Sequence, residues 1–171
     1  MPAKKKTSQI GREELISKYM EFVLDADSVP GSVYKFAKAI EVEESEFYAH
    51  FGSIPGIQKA VWTAFYDHST ALIEKNKDYD GYTNREKMLS FFYTFFELLG
   101  LNRSYVLFSL NEQSHALKNL EQLKGLRKRV KGFAKDLIEE GNADKQLRIT
   151  QHNPAVFSEG AWVQTLFLLK F

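Results

Sequence analysis

The sequence predicts an all-α protein in which three short helices precede a longer helical region. Glycine and proline are scarce, at 10 and 4 of 171 residues. Apolar residues recur at steps of three and four, and no stretch alternates apolar and polar residues with the period of a strand. Apolar residues make up 44% of the chain, which is enough for a hydrophobic core in one domain or in a small head on a larger body.

Three helices are predicted within the first ~50 residues. The first runs from Arg12 to Leu24 and has one apolar face. Ser32 is a good N-cap for a second helix from Val33 to Ile40. A tight turn at Glu41-Val42 then leads to a third helix, from about Glu44 to His50. Two short helices joined by a tight turn are typical of a helix-turn-helix.

A long helix is predicted next, from about Ile57 to Lys75, with an apolar stripe. Thr83-Asn84-Arg85-Glu86 has the pattern of a capping box and opens another helix. That helix is apolar almost all round, and Gly100 is predicted to end it.

Three further helices complete the chain. Asn102 is expected to cap a short one, and another covers Leu117 to Glu140 and stops at Gly141-Asn142. Asn153-Pro154 places an N-cap before a proline and opens the last helix. Its end, Ala161 to Phe171, is apolar on several sides and lacks a polar tail. A second subunit would cover such a helix, but we expect instead that the natural chain continues beyond Phe171.

Composition and motifs exclude several classes of function. The chain has no cysteine, which excludes disulfides, thiol catalysis and cysteine zinc sites. The histidines, His50, His68, His115 and His152, lack metal-ligand spacing, so neither a metal nor a cofactor is predicted. No nucleophile elbow, phosphate-binding loop or metal-binding helix motif is present, and an enzyme is not expected. With no signal peptide and no run of ~20 apolar residues, we expect a cytoplasmic protein without a transmembrane segment.

Two segments of the head resemble a known family. Val33 to Val42 is similar to the second helix and turn of TetR-family transcriptional regulators. Phe47 to Ser53 resembles the end of that family's recognition helix, and Ile57 with Ala60-Val61 continues the match. The resemblance covers about residues 12 to 65.

The resemblance implies a TetR-like fold with two parts. Residues 1–54 would form a basic arm and a DNA-binding head, and residues 55–171 a helical body for ligand binding and dimerisation. The implied function is that of a homodimeric repressor, which leaves double-stranded DNA when an apolar small molecule binds.

The same resemblance implies which residues contact DNA. Tyr48 and His50 would bind phosphates, and Ser32 would offer its hydroxyl to another. Lys35 adds positive charge beside them, and the arm would follow the backbone or the minor groove with Lys4, Lys5 and Lys6. The positions that would face base edges hold Glu44, Ser45 and Glu46. From the residues alone, Tyr48 would equally well cover the core of the head, and His50 would be an ordinary surface residue.

The head departs from the family pattern in its charge. Glu41 stands where a glycine is expected in the turn, and Ser32 to Phe51 carries two lysines against four glutamates. Because phosphate neutralisation supplies much of DNA affinity, this acidity opposes binding. Glutamate can accept a hydrogen bond from cytosine N4 and so read sequence. The alternative is a TetR-fold protein that binds a lipid or an isoprenoid and has lost specific DNA binding.

The body carries three candidate features. Large side chains that would surround its centre predict an apolar ligand pocket, although each suits a plain core as well: Trp62, Phe92, Phe95, Phe96, Leu99, Tyr105 and Phe108. The last helix is predicted to form the dimer interface with Trp162, Val163, Leu166 and Phe167. A basic run is either a solvated helix face or a surface for an anionic partner, such as a lipid head group or an acidic protein: Lys124, Arg127, Lys128, Arg129, Lys131 and Lys135.

Overall fold

The computed structural model describes residues 10–111, 120–143 and 151–170. Within these ranges the chain is helical and contains no strand, so the predicted all-α class is confirmed. The helices are α1 (Arg12–Asp25), α2 (Val33–Ala39), α3 (Glu44–Tyr48), α4 (Ile54–Ile73), α5 (Asn84–Leu101), α6 (Arg103–Asn111), α7 (Lys124–Ala143) and α8 (Pro154–Lys170). A single 3-10 turn, Tyr79–Gly81, lies between α4 and α5, and residues 120–122 are helical before α7.

Side-chain caps explain most of the helix starts. Thr83 Oγ1 accepts from the Glu86 N–H (3.3 Å) and Glu86 accepts from the Thr83 N–H (2.8 Å), as the predicted capping box requires. Asn153 Oδ1 accepts from the N–H of Ala155 at 3.0 Å and caps α8 as predicted. Helix α4 begins at Ile54 rather than Ile57, because Ser53 Oγ accepts from the Gly56 N–H (3.2 Å) and Pro55 fits the first turn.

Two glycines predicted to end helices lie inside them instead. Gly100 lies inside α5, and the Asn102 side chain donates to the Leu98 carbonyl (2.9 Å) at the end of α5 rather than capping α6. Helix α7 continues through Gly141 to Ala143. A Cβ at Gly141 would lie 2.7 Å from Nδ2 of Asn84, so this glycine allows α5 and α7 to approach instead of ending a helix.

Helices α1 to α3 form a small aromatic core. Phe36 and Phe47 are fully buried, with ring centroids 5.9 Å apart, and Tyr19 meets Phe36 edge-on at 5.7 Å. Tyr105 on α6 joins this core to the body, since its ring lies 6.5 Å from Tyr19 and 6.4 Å from Phe65 on α4.

The larger core lies where α4 packs against α5 and α7. Trp62, Phe91 and Phe95 are fully buried there. The Trp62 indole N–H donates to Ser109 Oγ (3.3 Å) and to Gln122 Oε1 (3.4 Å), and Gln122 Nε2 donates to the Ser109 carbonyl (2.8 Å). These buried bonds tie α4 to α6 and to the segment before α7.

Candidate functional site

Helix α3 presents a narrow exposed face. Phe47 points into the core, whereas Tyr48 is 54% exposed and Ser45 is also exposed. Helix α3 follows α2 after a tight turn and packs against it. The residues expected to meet DNA therefore lie on the outer side of a turn-linked helix pair.

One acidic residue of this face has a local structural role. Glu46 is partly buried, and its Oε2 accepts from the N–H of Glu43 at 3.2 Å. A glutamate three residues after the N-cap is a standard means of capping a short helix. Part of the acidity that opposes DNA binding is therefore explained by the stability of α3.

The turn between α2 and α3 is strained at Glu41. Its φ of 58° lies in the left-handed region, which glycine adopts without penalty. A side chain there costs about 1–2 kcal/mol. The glycine expected from the family pattern would relieve this strain.

The two residues His50 and Phe51, just after α3, contact the first described residues of the chain. His50 Nε2 donates to the Ile10 carbonyl at 3.0 Å, and the Arg12 guanidinium lies 5.2 Å from the centre of the Phe51 ring. One imidazole nitrogen of His50 is therefore engaged within the protein. Lys4, Lys5 and Lys6 lie outside the described residues, and Ile10, the first described residue, lies beside the residues that follow α3.

The remaining predicted DNA contacts lie on α2. Ser32 Oγ caps α2 by accepting from the Lys35 N–H at 3.2 Å, and the Lys35 side chain is exposed. Residues 10–53 carry four basic side chains, Arg12, Lys18, Lys35 and Lys38. The same residues carry nine acidic ones: Glu13, Glu14, Glu21, Asp25, Asp27, Glu41, Glu43, Glu44 and Glu46. This part of the head is net acidic.

The structure does not gather the predicted pocket residues around one cavity. Trp62, Phe95 and Tyr105 are at most 2% exposed and lie within the core. Leu99 is buried as well, and Phe96 and Phe108 are partly buried against the same core. Phe92 alone among the seven lines the groove described next.

An apolar groove of about 690 Å³ lies between α5, α7 and α8. Its walls are mainly hydrophobic, with Met88 and Phe92 from α5, Leu137 and Ile138 from α7, and Val156 and Phe157 from α8. Polar side chains at its edge are Asn84, Arg85, His152 and Gln164. The volume falls within the range of small-molecule sites.

Helix α8 has an exposed apolar face beside the groove. Val156, Val163 and Phe167 are each more than 60% exposed, whereas Leu166 is partly buried. Trp162, expected at the dimer interface, is 6% exposed and belongs to the core of the subunit. Of the four predicted interface residues, Val163 and Phe167 are therefore the exposed ones, and Val156 is exposed on the same helix.

The basic run on α7 is largely paired within the protein. Arg127 and Lys131 both contact Glu159 on α8, and Arg129 Nη2 lies 3.5 Å from Asp67 Oδ2 on α4. Lys124 pairs with Glu121, and Lys135 pairs with Glu139 at 3.4 Å. Of the six, only Lys128 makes no ion pair with the part of the chain that the structure describes. These ion pairs help to hold α7 against its neighbours. Because they neutralise most of the basic side chains, little net charge is left for an anionic partner.

The C-terminal half of the chain decides the family. Residues 87–171 match the profile described as "Tetracyclin repressor-like, C-terminal domain". The chain belongs to the TetR family. The matched range holds α5 from Lys87 onward and the whole of α6, α7 and α8, and therefore most of the groove and the outer face of α8.

The fold of this TetR-family chain is also similar to one solved structure, that of the fatty acid degradation regulator FadR from Bacillus halodurans. The match covers 98% of this chain and 87% of that one, with 20% identity and a TM-score of 0.48. No curated protein matches the sequence.

The described part of this TetR-family chain holds no candidate for a metal site or a membrane span. Among the described residues, no three histidine, aspartate or glutamate side chains are grouped as metal ligands. No helix among those residues is long and apolar enough to cross a membrane. Sequence reasoning did not single out the groove residues Arg85 and His152, because each is an isolated polar residue that only the packing of three helices brings to one cavity.

Proposed function

We propose that this TetR-family regulator is a homodimeric repressor, with a DNA-binding head in residues 1–54 and a ligand-binding body in residues 55–171. The observation that carries the proposal is the exposed face of α3, where Tyr48 and Ser45 point outward while Phe47 is buried. A helix that faces outward and is joined to the preceding helix by a tight turn can enter the major groove of DNA. Such a regulator would act on DNA in the cytoplasm and needs no catalytic residue.

The contacts with double-stranded DNA would come from both ends of the helix pair. Tyr48, Ser32 and Lys35 would bind phosphates, and Ser45 with Glu44 would face the bases. The His50–Ile10 bond directs the chain towards the arm past α3, so Lys4, Lys5 and Lys6 would add the positive charge that the described head lacks. With its carboxylate turned to the Glu43 N–H, Glu46 would contribute little to base reading.

Dimerisation would use the outer face of α8. Val156, Val163 and Phe167 follow at steps of seven and four residues, which places them on one side of the helix. Pairing two copies through this face would set two recognition helices roughly 34–36 Å apart, one turn of DNA.

An apolar ligand would act through α4. This helix follows directly after the head and packs on both α5 and α7, two walls of the groove. A ligand that binds better to one spacing of the heads would shift the dimer towards that state.

The test is titration of the full chain against genomic DNA fragments at ~50 and ~200 mM salt. A regulator selects a near-palindromic site and weakens steeply with salt. Tyr48→Ala should lower affinity about ten-fold across sequences, whereas Tyr93→Ala, a 73% exposed tyrosine on α5, should not. Equal losses in both variants would contradict the assigned face.

A second function is favoured by the excess of acidic side chains in residues 10–53. It is that of a TetR-fold protein that binds a lipid or an isoprenoid and no longer binds DNA. In the same titration this protein would show no site selection at either salt concentration, yet would still take up ligand.

A further inference from the structure

We propose that the groove between α5, α7 and α8 binds a single-chain amphipathic anion, whose hydrocarbon body lies between the helices and whose carboxylate or phosphate head is bound at Arg85. The inference rests on the ligand-responsive function proposed above and names the chemical class of its ligand. The ligand pocket expected from the sequence lay elsewhere, around Trp62, Phe95 and Tyr105.

The walls of the groove account for the hydrocarbon part. Met88, Phe92, Leu137 and Ile138 bring apolar surface from two helices, and α8 closes the third side with Phe157. Burying a hydrocarbon chain stabilises a complex by about 0.8 kcal/mol for each CH₂ group. A long, flexible chain suits a groove formed by side chains of this kind better than a rigid polar ligand does.

Arg85 supplies the charge. It lies at the edge of the groove, is exposed, and makes no ion pair with any residue that the structure describes. The neighbouring carboxylate of Glu86 is bound to the N–H (2.8 Å) and the hydroxyl (2.7 Å) of Thr83 instead. The other nearby cation, Lys87, is paired with Glu140. Since a guanidinium presents a planar fork of donors that matches a carboxylate or phosphate, Arg85 is the group at this edge suited to an anion.

His152 is held in place at the same groove. Asn142 Nδ2 donates to its carbonyl (2.7 Å) and Asn142 Oδ1 accepts from its N–H (2.9 Å). Its ring packs on Phe157, with centroids 4.9 Å apart. The two bonds fix the backbone of His152, and the contact with Phe157 keeps its ring in the lining of the groove, where a ring N–H can donate to the ligand's head.

The test measures binding of three probes to the full chain by titration calorimetry: dodecanoate, dodecyl phosphate and dodecanol, each below its micelle-forming concentration. Both anions should bind more tightly than the alcohol. Arg85→Gln should weaken both anions about ten-fold and leave dodecanol unchanged, whereas Arg103→Gln, an exposed arginine on α6 away from the groove, should change none of them. A preference for only one anion would identify the head group. Equal weakening of the alcohol and the anions by Arg85→Gln would overturn the proposal.

A second variant tests the groove itself. A Cβ at Gly160 meets no atom within 4 Å, so Gly160→Leu should fold normally and fill the groove, lowering dodecanoate affinity at least ten-fold. Gly132→Leu on α7, equally open but outside the groove, is the matched control. If no probe binds and Gly160→Leu instead dissociates the dimer in sedimentation, the groove is a subunit contact and the proposal fails.

DNA titration of the same preparation separates this proposal from the function on which it rests. A protein that selects a DNA site but binds none of the three probes keeps the regulatory function and refutes the anion site. A protein that binds the anions through Arg85 but selects no DNA keeps the anion site and refutes the repressor.

Discussion

Glu41 adds both backbone strain and a negative charge to the head. Its φ of 58° is costly for any side chain other than glycine. Glu41→Gly should raise the free energy of unfolding by about 0.5–1 kcal/mol, since relief of strain exceeds the added freedom of the unfolded chain. Urea denaturation checks this value. Glu41→Gln removes the same charge but keeps the strain, so a comparable gain in that variant would contradict the backbone explanation.

The buried phenol of Tyr66 makes the stability of the protein depend on pH. Burial raises the pKa of its phenol to about 12, against the lowering effect of Arg129. The folded state therefore favours the neutral phenol, and the associated stability is present below pH 10 and is lost as pH rises from 10 through 12. Tyr66→Phe should reduce the alkaline loss of stability between pH 9 and 11.5 by up to about 2 kcal/mol. Urea unfolding of both proteins at pH 9 and at pH 11.5 measures this difference. An equal loss of unfolding free energy in the two proteins would contradict the assignment to Tyr66.

At the scale of the element, α7 depends on close approach at its first turn. A Cβ at Gly125 would lie 2.7 Å from Cγ2 of Thr63, whose hydroxyl is fixed by a 2.9 Å bond to the Ala60 carbonyl. Gly125→Ala should therefore destabilise the protein by about 1–2 kcal/mol, despite the better helix propensity of alanine. Gly132→Ala, with open space at its Cβ, should stabilise it by up to about 1 kcal/mol. Thermal unfolding of the pair checks the difference, and equal stability of the two variants would contradict the packing argument.

The same helices show what sequence can predict. Thr83 and Asn153 were identifiable as caps because capping depends on residues within one turn. Gly141 looks like a helix end in the sequence, because its actual role, to leave room for Asn84, depends on a residue far away in the chain. The outward position of Tyr48 was implied only by the family resemblance, because the residues of α3 alone fit a buried or an exposed tyrosine equally well. The groove did not, since a buried Phe95 and a groove-lining Phe92 look alike in sequence.

At the scale of the whole molecule, the proposed dimer can be tested directly. Val163 is 62% exposed at the middle of the outer face of α8. Val163→Asp would place an unpaired charge in the proposed dimer interface and should weaken dimerisation at least thirty-fold, as measured by sedimentation equilibrium. Tyr93→Asp, on an exposed surface of α5, should leave the dimer intact. A Val163→Asp protein that dimerises normally would move the interface to another face.

The burial of Trp62 gives the protein an intrinsic optical reporter. The chain has two tryptophans, and the indole of Trp62 is shielded from water and hydrogen-bonded to Ser109 and Gln122. In a Trp162→Phe background its fluorescence spectrum would arise from one site, at the junction of α4, α6 and the segment before α7. Any ligand or DNA that moves α4 would alter those hydrogen bonds, and the emission wavelength would follow the transition in real time without an added label.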